Sequence, residues 1–161
     1  MNNKLMLMVM LAALLCTCNS SPTVYETFNI YQVLDQGIPR EGPTKPIDSL
    51  TLSNEPIIST QDILSYSWPT HEFTITSNAH SILDTLGLHH LLSPFVACVG
   101  NERIYYGCFV SPASSYLPTT YPYITIKLNL QISKALNDSI TDRRNDIRIY
   151  ESLKYSGKLI E

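Results

Sequence analysis

The chain has 161 residues, 44% of them hydrophobic and 16% charged, with a formal net charge of −3. That apolar share suffices for one packed domain. The lack of any basic block excludes a nucleic-acid surface built on phosphate contacts, and ten prolines argue for turns over long helices.

In residues 1–18, MNNKLMLMVMLAALLCTC, Lys4 precedes an unbroken apolar run from Leu5 to Leu15. A cation followed by an apolar run too short to span a bilayer is the layout of a secretory signal peptide. The run ends in Leu15-Cys16-Thr17-Cys18. This resembles a bacterial lipoprotein signal, in which a Leu three residues before a Cys and a small residue just before it mark that Cys for lipidation. The resemblance implies cleavage after residue 17 and an acylated Cys18, whose several chains suffice for stable membrane anchoring. Residues 19–23, NSSPT, then form a polar tether, and the periplasmic and external faces of the envelope both stay open.

Residues 24–34, VYETFNIYQVL, are rich in β-branched and aromatic residues and read as a strand, with Phe28 and Ile30 on one face. Neither face is cleanly apolar, which places it at a sheet edge. Residues 35–48 carry three prolines and two glycines and read as a linker. The organisation is therefore a signal peptide (1–17), a segment of tether, edge strand and Pro-rich linker (18–49), and a main domain (50–161).

Within that domain, a short strand ends at Ile58. Ser59 or Thr60 then caps a brief helical turn, TQDILSY, stopped by Trp68-Pro69. His71, Phe73 and Ile75 alternate on one face of a strand. Ser77 caps a helix in which Ala79, Ile82, Leu83 and Leu86 form one apolar stripe, with Gly87 as its stop. Residues 94–112 read as a central hairpin with a loop at Asn101-Glu102. Phe95, Ala97, Val99, Ile104, Tyr106 and Cys108 then share one face, and Val96, Cys98, Arg103, Tyr105 and Phe109 the other. Gly107 marks a bulge or a close approach. Residues 112–122 form a Ser/Thr/Tyr/Pro loop. Residues 123–132 read as one long strand, with Ile124, Ile126, Leu128, Leu130 and Ile132 inward and Thr125, Lys127, Asn129 and Gln131 toward solvent. Asp146 caps a last helix that Gly157 ends.

Chemistry-bearing residues are sparse. In this hairpin register Cys98 and Cys108 point to opposite faces, about 10 Å out of step, so the sequence predicts no disulfide. His89-His90 gives no zinc spacing, and nothing calls for a metal or cofactor. His80 reads as a solvated helix residue. His71, beside Trp68, reads as a hydrogen-bonded packing residue, or as the base of a hydrolase with Ser115 as nucleophile. No GxSxG elbow supports the hydrolase. Tyr116 and Tyr121, with Tyr66, Trp68, His71 and Ser115, form the candidate binding surface, because Tyr gives a large contact area at low entropy cost.

Three stretches, DILSYSWPTHEFTIT, PFVACVGNERIYYGCFVSPASS and RNDIRIYESLKYSGKL, resemble a family of small bacterial lipoproteins of unknown function, over about residues 60–160. The resemblance rests on Asp62, Tyr66, Trp68 and His71, on Arg103, Tyr105, Gly107, Ser111 and Ser115, and on Asn145, Asp146, Arg148 and Gly157, among others. It brings no catalytic assignment. A weaker likeness, in element order, is to the extracytoplasmic head of the SecD translocation subunit, which implies a small α+β sandwich. The sequence thus predicts an α+β domain, a mainly antiparallel sheet with two short helices packed on one face. It would be a lipid-anchored envelope lipoprotein that binds a ligand or an envelope protein partner without catalysis, the serine hydrolase being the alternative.

Overall fold

A computed structural model describes residues 25–35, 42–43, 45–86, 93–127 and 129–160. The leader with Cys18, the tether, Gly87, His89 and His90 lie outside the described residues. Nine strands form one sheet: β1 (Phe28–Gln32), β2 (Ile58–Ser59), β3 (Ile63–Ser67), β4 (Glu72–Ile75), β5 (Ser93–Val99), β6 (Glu102–Val110), β7 (Tyr123–Thr125), β8 (Leu130–Ser133) and β9 (Leu159–Ile160). The α-helices among the described residues are α1 (Ser77–Thr85) and α2 (Ile147–Tyr155).

The strand order is β2-β1-β5-β6-β7-β8-β4-β3-β9. β2 borders one side, while β3, which follows it after three residues, is next to last on the other. So short a link between opposite margins requires the sheet to curl round. Asp62 ties the corner: its carboxylate accepts from the Ser59 N–H at 2.8 Å, and its carbonyl from the Thr76 N–H at 2.9 Å.

The α+β class expected from sequence is the class observed, but the sheet is mixed. β6 pairs β7 in parallel, and so does β3 with β9. Nor do the helices form a clear layer on one face. Instead Ala79 and Leu83 of α1 and Ile149 and Leu153 of α2 enter the core within the curl, with Phe28, Tyr66, Phe73, Phe95, Phe109 and Leu130. Each Leu, Ile or Phe among them, fully buried, contributes about 1.5–3 kcal/mol.

On the other face of β1, β5 and β6, a smaller cluster of Val96, Cys98, Tyr106, Cys108 and Val110 is covered by Leu50 and Tyr121. Arg103 pins this cover by donating to the carbonyls of Ile47 (2.6 Å) and Leu50 (2.8 Å).

Several local expectations change. β1 is not an edge strand: it lies between β2 and β5 and pairs β5 over five residues. Its mixed outer face is not a solvent face, because Tyr31 packs against the outer cluster. Residues 63–67 are strand, not helical turn. A bulge between Ile63 and Ser65 puts Ile63 and Tyr66 on the same face, which mimics helical spacing.

The hairpin turns at Gly100, whose φ is +56°, and Asn101, with Val99 opposite Glu102. Cys98 pairs Arg103 and Ala97 pairs Tyr105, so Ile104 is the extra residue of a bulge. Beyond it the faces exchange. Tyr105 and Phe109 join Phe95 inside, while Tyr106 and Cys108 join Val96 and Cys98 outside.

Residues 123–132 are a hairpin rather than one strand, with Ile124 opposite Ile132. Each pair across it joins positions of the same parity, 123 with 133, 124 with 132 and 125 with 131, so the alternation survives the reversal; Leu128, expected inward, lies outside the described residues. In α1 the capping side chain is Thr76, which accepts from the Ala79 N–H at 3.3 Å, and Ile82 and Leu86 are exposed. The caps of α2 are as expected. Asp146 accepts from the Arg148 N–H at 3.0 Å. Gly157, at φ +66°, ends the helix as Lys158 N–H reaches the Leu153 carbonyl and Gly157 N–H that of Lys154.

Candidate functional site

The residues nominated from sequence separate into two places. Tyr66, Trp68 and His71 come together within the curl. The Tyr66 hydroxyl lies 2.9 Å from His71 Nδ1, and both residues are buried. The Trp68 ring meets that of His71 edge-on at 5.4 Å and that of Tyr150 at 5.1 Å. His71 leaves the turn at φ +53°, a conformation L residues seldom adopt. Burial, with help from the Arg144 guanidinium, lowers its pKa to about 4. The Tyr66 hydroxyl, its own pKa pushed well up by burial, stays un-ionised and shares a hydrogen bond with Nδ1 of the neutral ring. This is the hydrogen-bonded packing role read from sequence.

Ser115 is exposed in the loop after β6, and no contact joins it to His71. Tyr121 is buried against Tyr106, ring centroids 5.0 Å apart, and Tyr116 is half-buried.

Cys98 and Cys108 are both buried and free. They share the outer face, contrary to the expected opposite faces. They are still far apart, because Cys108 pairs Pro94, four residues from Cys98, an offset of about 13 Å. Burial raises the thiols to about 11 and about 12.

The second place is a groove of about 690 Å³ on the outer face of β7, β8 and β4. Register builds its floor: Tyr123 pairs Ser133, Thr125 pairs Gln131, and Gln131 pairs Glu72, so these five side chains share one face of three adjacent strands. The opposite face carries the buried Ile124, Ile132, Leu130 and Phe73. One wall is the loop from Ser111 to Leu117. Ser114 braces it, since its hydroxyl accepts from the Tyr116 N–H and donates to the Tyr116 carbonyl, each at 3.1 Å. Lys127 closes the end at the β7–β8 turn.

None of the six residues nominated from sequence lines this groove, and its floor was not read from the sequence. Thr125 and Gln131 look like the solvent side of an amphipathic strand. The available signal was a Ser/Tyr loop directly preceding that polar row.

Among the described residues, no group of three or more His, Cys, Asp or Glu side chains is placed to hold a metal ion. No helix among them is long and apolar enough to cross a membrane. Comparison with protein-family models, curated proteins and solved structures gives no match.

Proposed function

We propose that the chain is a lipid-anchored bacterial envelope lipoprotein whose domain is a non-enzymatic binding module. The observation that carries the binding half is the groove, a concave floor of polar side chains on three interior strands. Strands fix their side chains more firmly than loops do, so the floor is preorganised. The anchor half is supported by the Leu15-to-Cys18 pattern behind the apolar leader. A serine hydrolase would need Ser115 beside an imidazole free to take its proton. A neutral, buried His71 held by Tyr66 favours the binding reading over that one.

The test pairs two measurements in cells. A photo-crosslinking amino acid replaces Ser133 in the groove or, as control, Glu151 on the exposed side of α2. A screen of ester and peptide substrates compares the parent with Ser115→Ala. Adducts from position 133 and not 151, with no Ser115-dependent turnover, are expected. No adduct from position 133, or turnover abolished by Ser115→Ala, would overturn the proposal.

A further inference from the structure

The groove floor has a narrow chemistry. It presents the hydroxyls of Thr125 and Ser133, the carboxamide of Gln131 and the part-exposed ring of Tyr123, with one charge of each sign, Glu72 and Lys127. Balanced charge gives no field to concentrate a multiply charged ion. A drug-sized apolar ligand would want a mostly hydrophobic lining, which is not found here. Nor can an extended peptide add to the sheet at this place. β7, β8 and β4 each have a strand on both sides, so no backbone edge is offered.

What remains is a set of neutral donors and acceptors in two rows, on a floor about 10 Å across. Among the described residues, the side chains of Tyr123, Thr125 and Ser133 have no hydrogen-bond partner within the chain. Gln131 donates to the Thr70 carbonyl at 3.2 Å, which orients its amide and leaves its own carbonyl oxygen available. Hydroxyls that both donate and accept match a ligand whose groups do the same. The Tyr123 ring, packed on the outer cluster along one side, offers its other side to an apolar C–H face. A sugar chain combines these properties: a hydroxyl-bearing edge, a C–H face and no charge. The volume falls within the range of sites that bury most of a ligand.

We propose that this groove binds an uncharged glycan strand, with Thr125, Gln131 and Ser133 as its hydrogen-bonding floor and Tyr123 as its stacking platform. This deepens the binding-module reading and rests on it.

The test uses the full chain in detergent micelles. The probes are cello-, malto- and chito-oligosaccharides, a random peptide pool and a sugar phosphate, each immobilised, followed by titration of whatever is retained. A neutral oligosaccharide should bind and be recovered intact. Thr125→Val, Ser133→Ala and Gln131→Leu should each weaken it about fivefold to tenfold. The thermal midpoint should not change for Thr125→Val and Ser133→Ala, whose side chains lie on a polar face. Cys18→Ser should bind like the parent. Sugar binding insensitive to the floor variants, or retention of peptides or the sugar phosphate alone, would overturn the glycan assignment. If that other retention is weakened by the floor variants, the binding module stands. No retention of any probe would overturn both, and recovery of cleaved sugar would overturn the non-enzymatic reading.

Discussion

The Tyr66 hydroxyl and His71 Nδ1 meet at 2.9 Å inside the curl, and the imidazole they hold is neutral. Its pKa in the fold is about 4, against an ordinary 6.5. Between those values the unfolded chain takes up a proton that the fold refuses. The stability this group contributes is therefore full above pH 6.5 and declines as pH falls toward 4, by about 3 kcal/mol in all. Urea midpoints measured from neutral pH down to about 4.5 should fall steadily, and His71→Asn should flatten that fall while lowering the midpoint at neutral pH. Asn suits the positive φ better than most residues.

Arg144 lies beside the same cluster. It donates to the Ile132 carbonyl at 2.6 Å and grips Asp142 through two nitrogens, at 2.8 and 2.5 Å. Removing one partner of so enclosed a pair leaves a charge without compensation. Arg144→Gln should cost about 3 kcal/mol in urea unfolding. It should also raise the His71 pKa, because the guanidinium helps to hold it down. An NMR titration of the imidazole reads that second effect, which general loosening of the fold would not confine to one histidine.

Gly107 sits under the Phe95 ring, and a Cβ there would also come within 2.8 Å of the Pro122 carbonyl oxygen. The ring could shift a little, but the backbone oxygen is held by its bond from the Cys108 N–H at 3.2 Å. Gly107→Ala should cost about 2 kcal/mol or more. Combined with Phe95→Leu, the loss should be smaller than the sum of the two single losses, a coupling that a double-mutant cycle measures.

Cys98 and Cys108 combine burial with raised pKa, so neither is a ready thiolate. Thiol reagents should leave both unlabelled in the native protein and modify both in denaturant without reductant. Peptide mapping by mass spectrometry separates them from the cysteines of the leader.

What the sequence made legible had local causes. α2 was readable because Asp146 and Gly157 are cap residues acting within a turn of the helix. β4 was readable because His71, Phe73 and Ile75 alternate without interruption. The hairpin faces were not, because the bulge at Ile104 carries no Gly, Pro or Asn to mark it and reverses every side chain beyond it. The β7–β8 hairpin was hidden because its register pairs positions of the same parity, which keeps the inward positions in phase. The groove floor was hidden for a related reason. A polar side chain facing a concave surface and one facing open water look alike until the strands are placed side by side. Of the binding residues nominated from sequence, Tyr66, His71 and Tyr121 proved to be buried, since an aromatic-rich stretch serves packing as readily as recognition.

The proposed lipid tether at position 18 is tested most directly by the mass of the N-terminal peptide of the native protein, purified from bacterial membranes. The expected peptide begins at Cys18 and carries acyl chains on its sulfur and amine. A peptide beginning at Met1, or an unmodified Cys18 in the membrane-recovered protein, would contradict it.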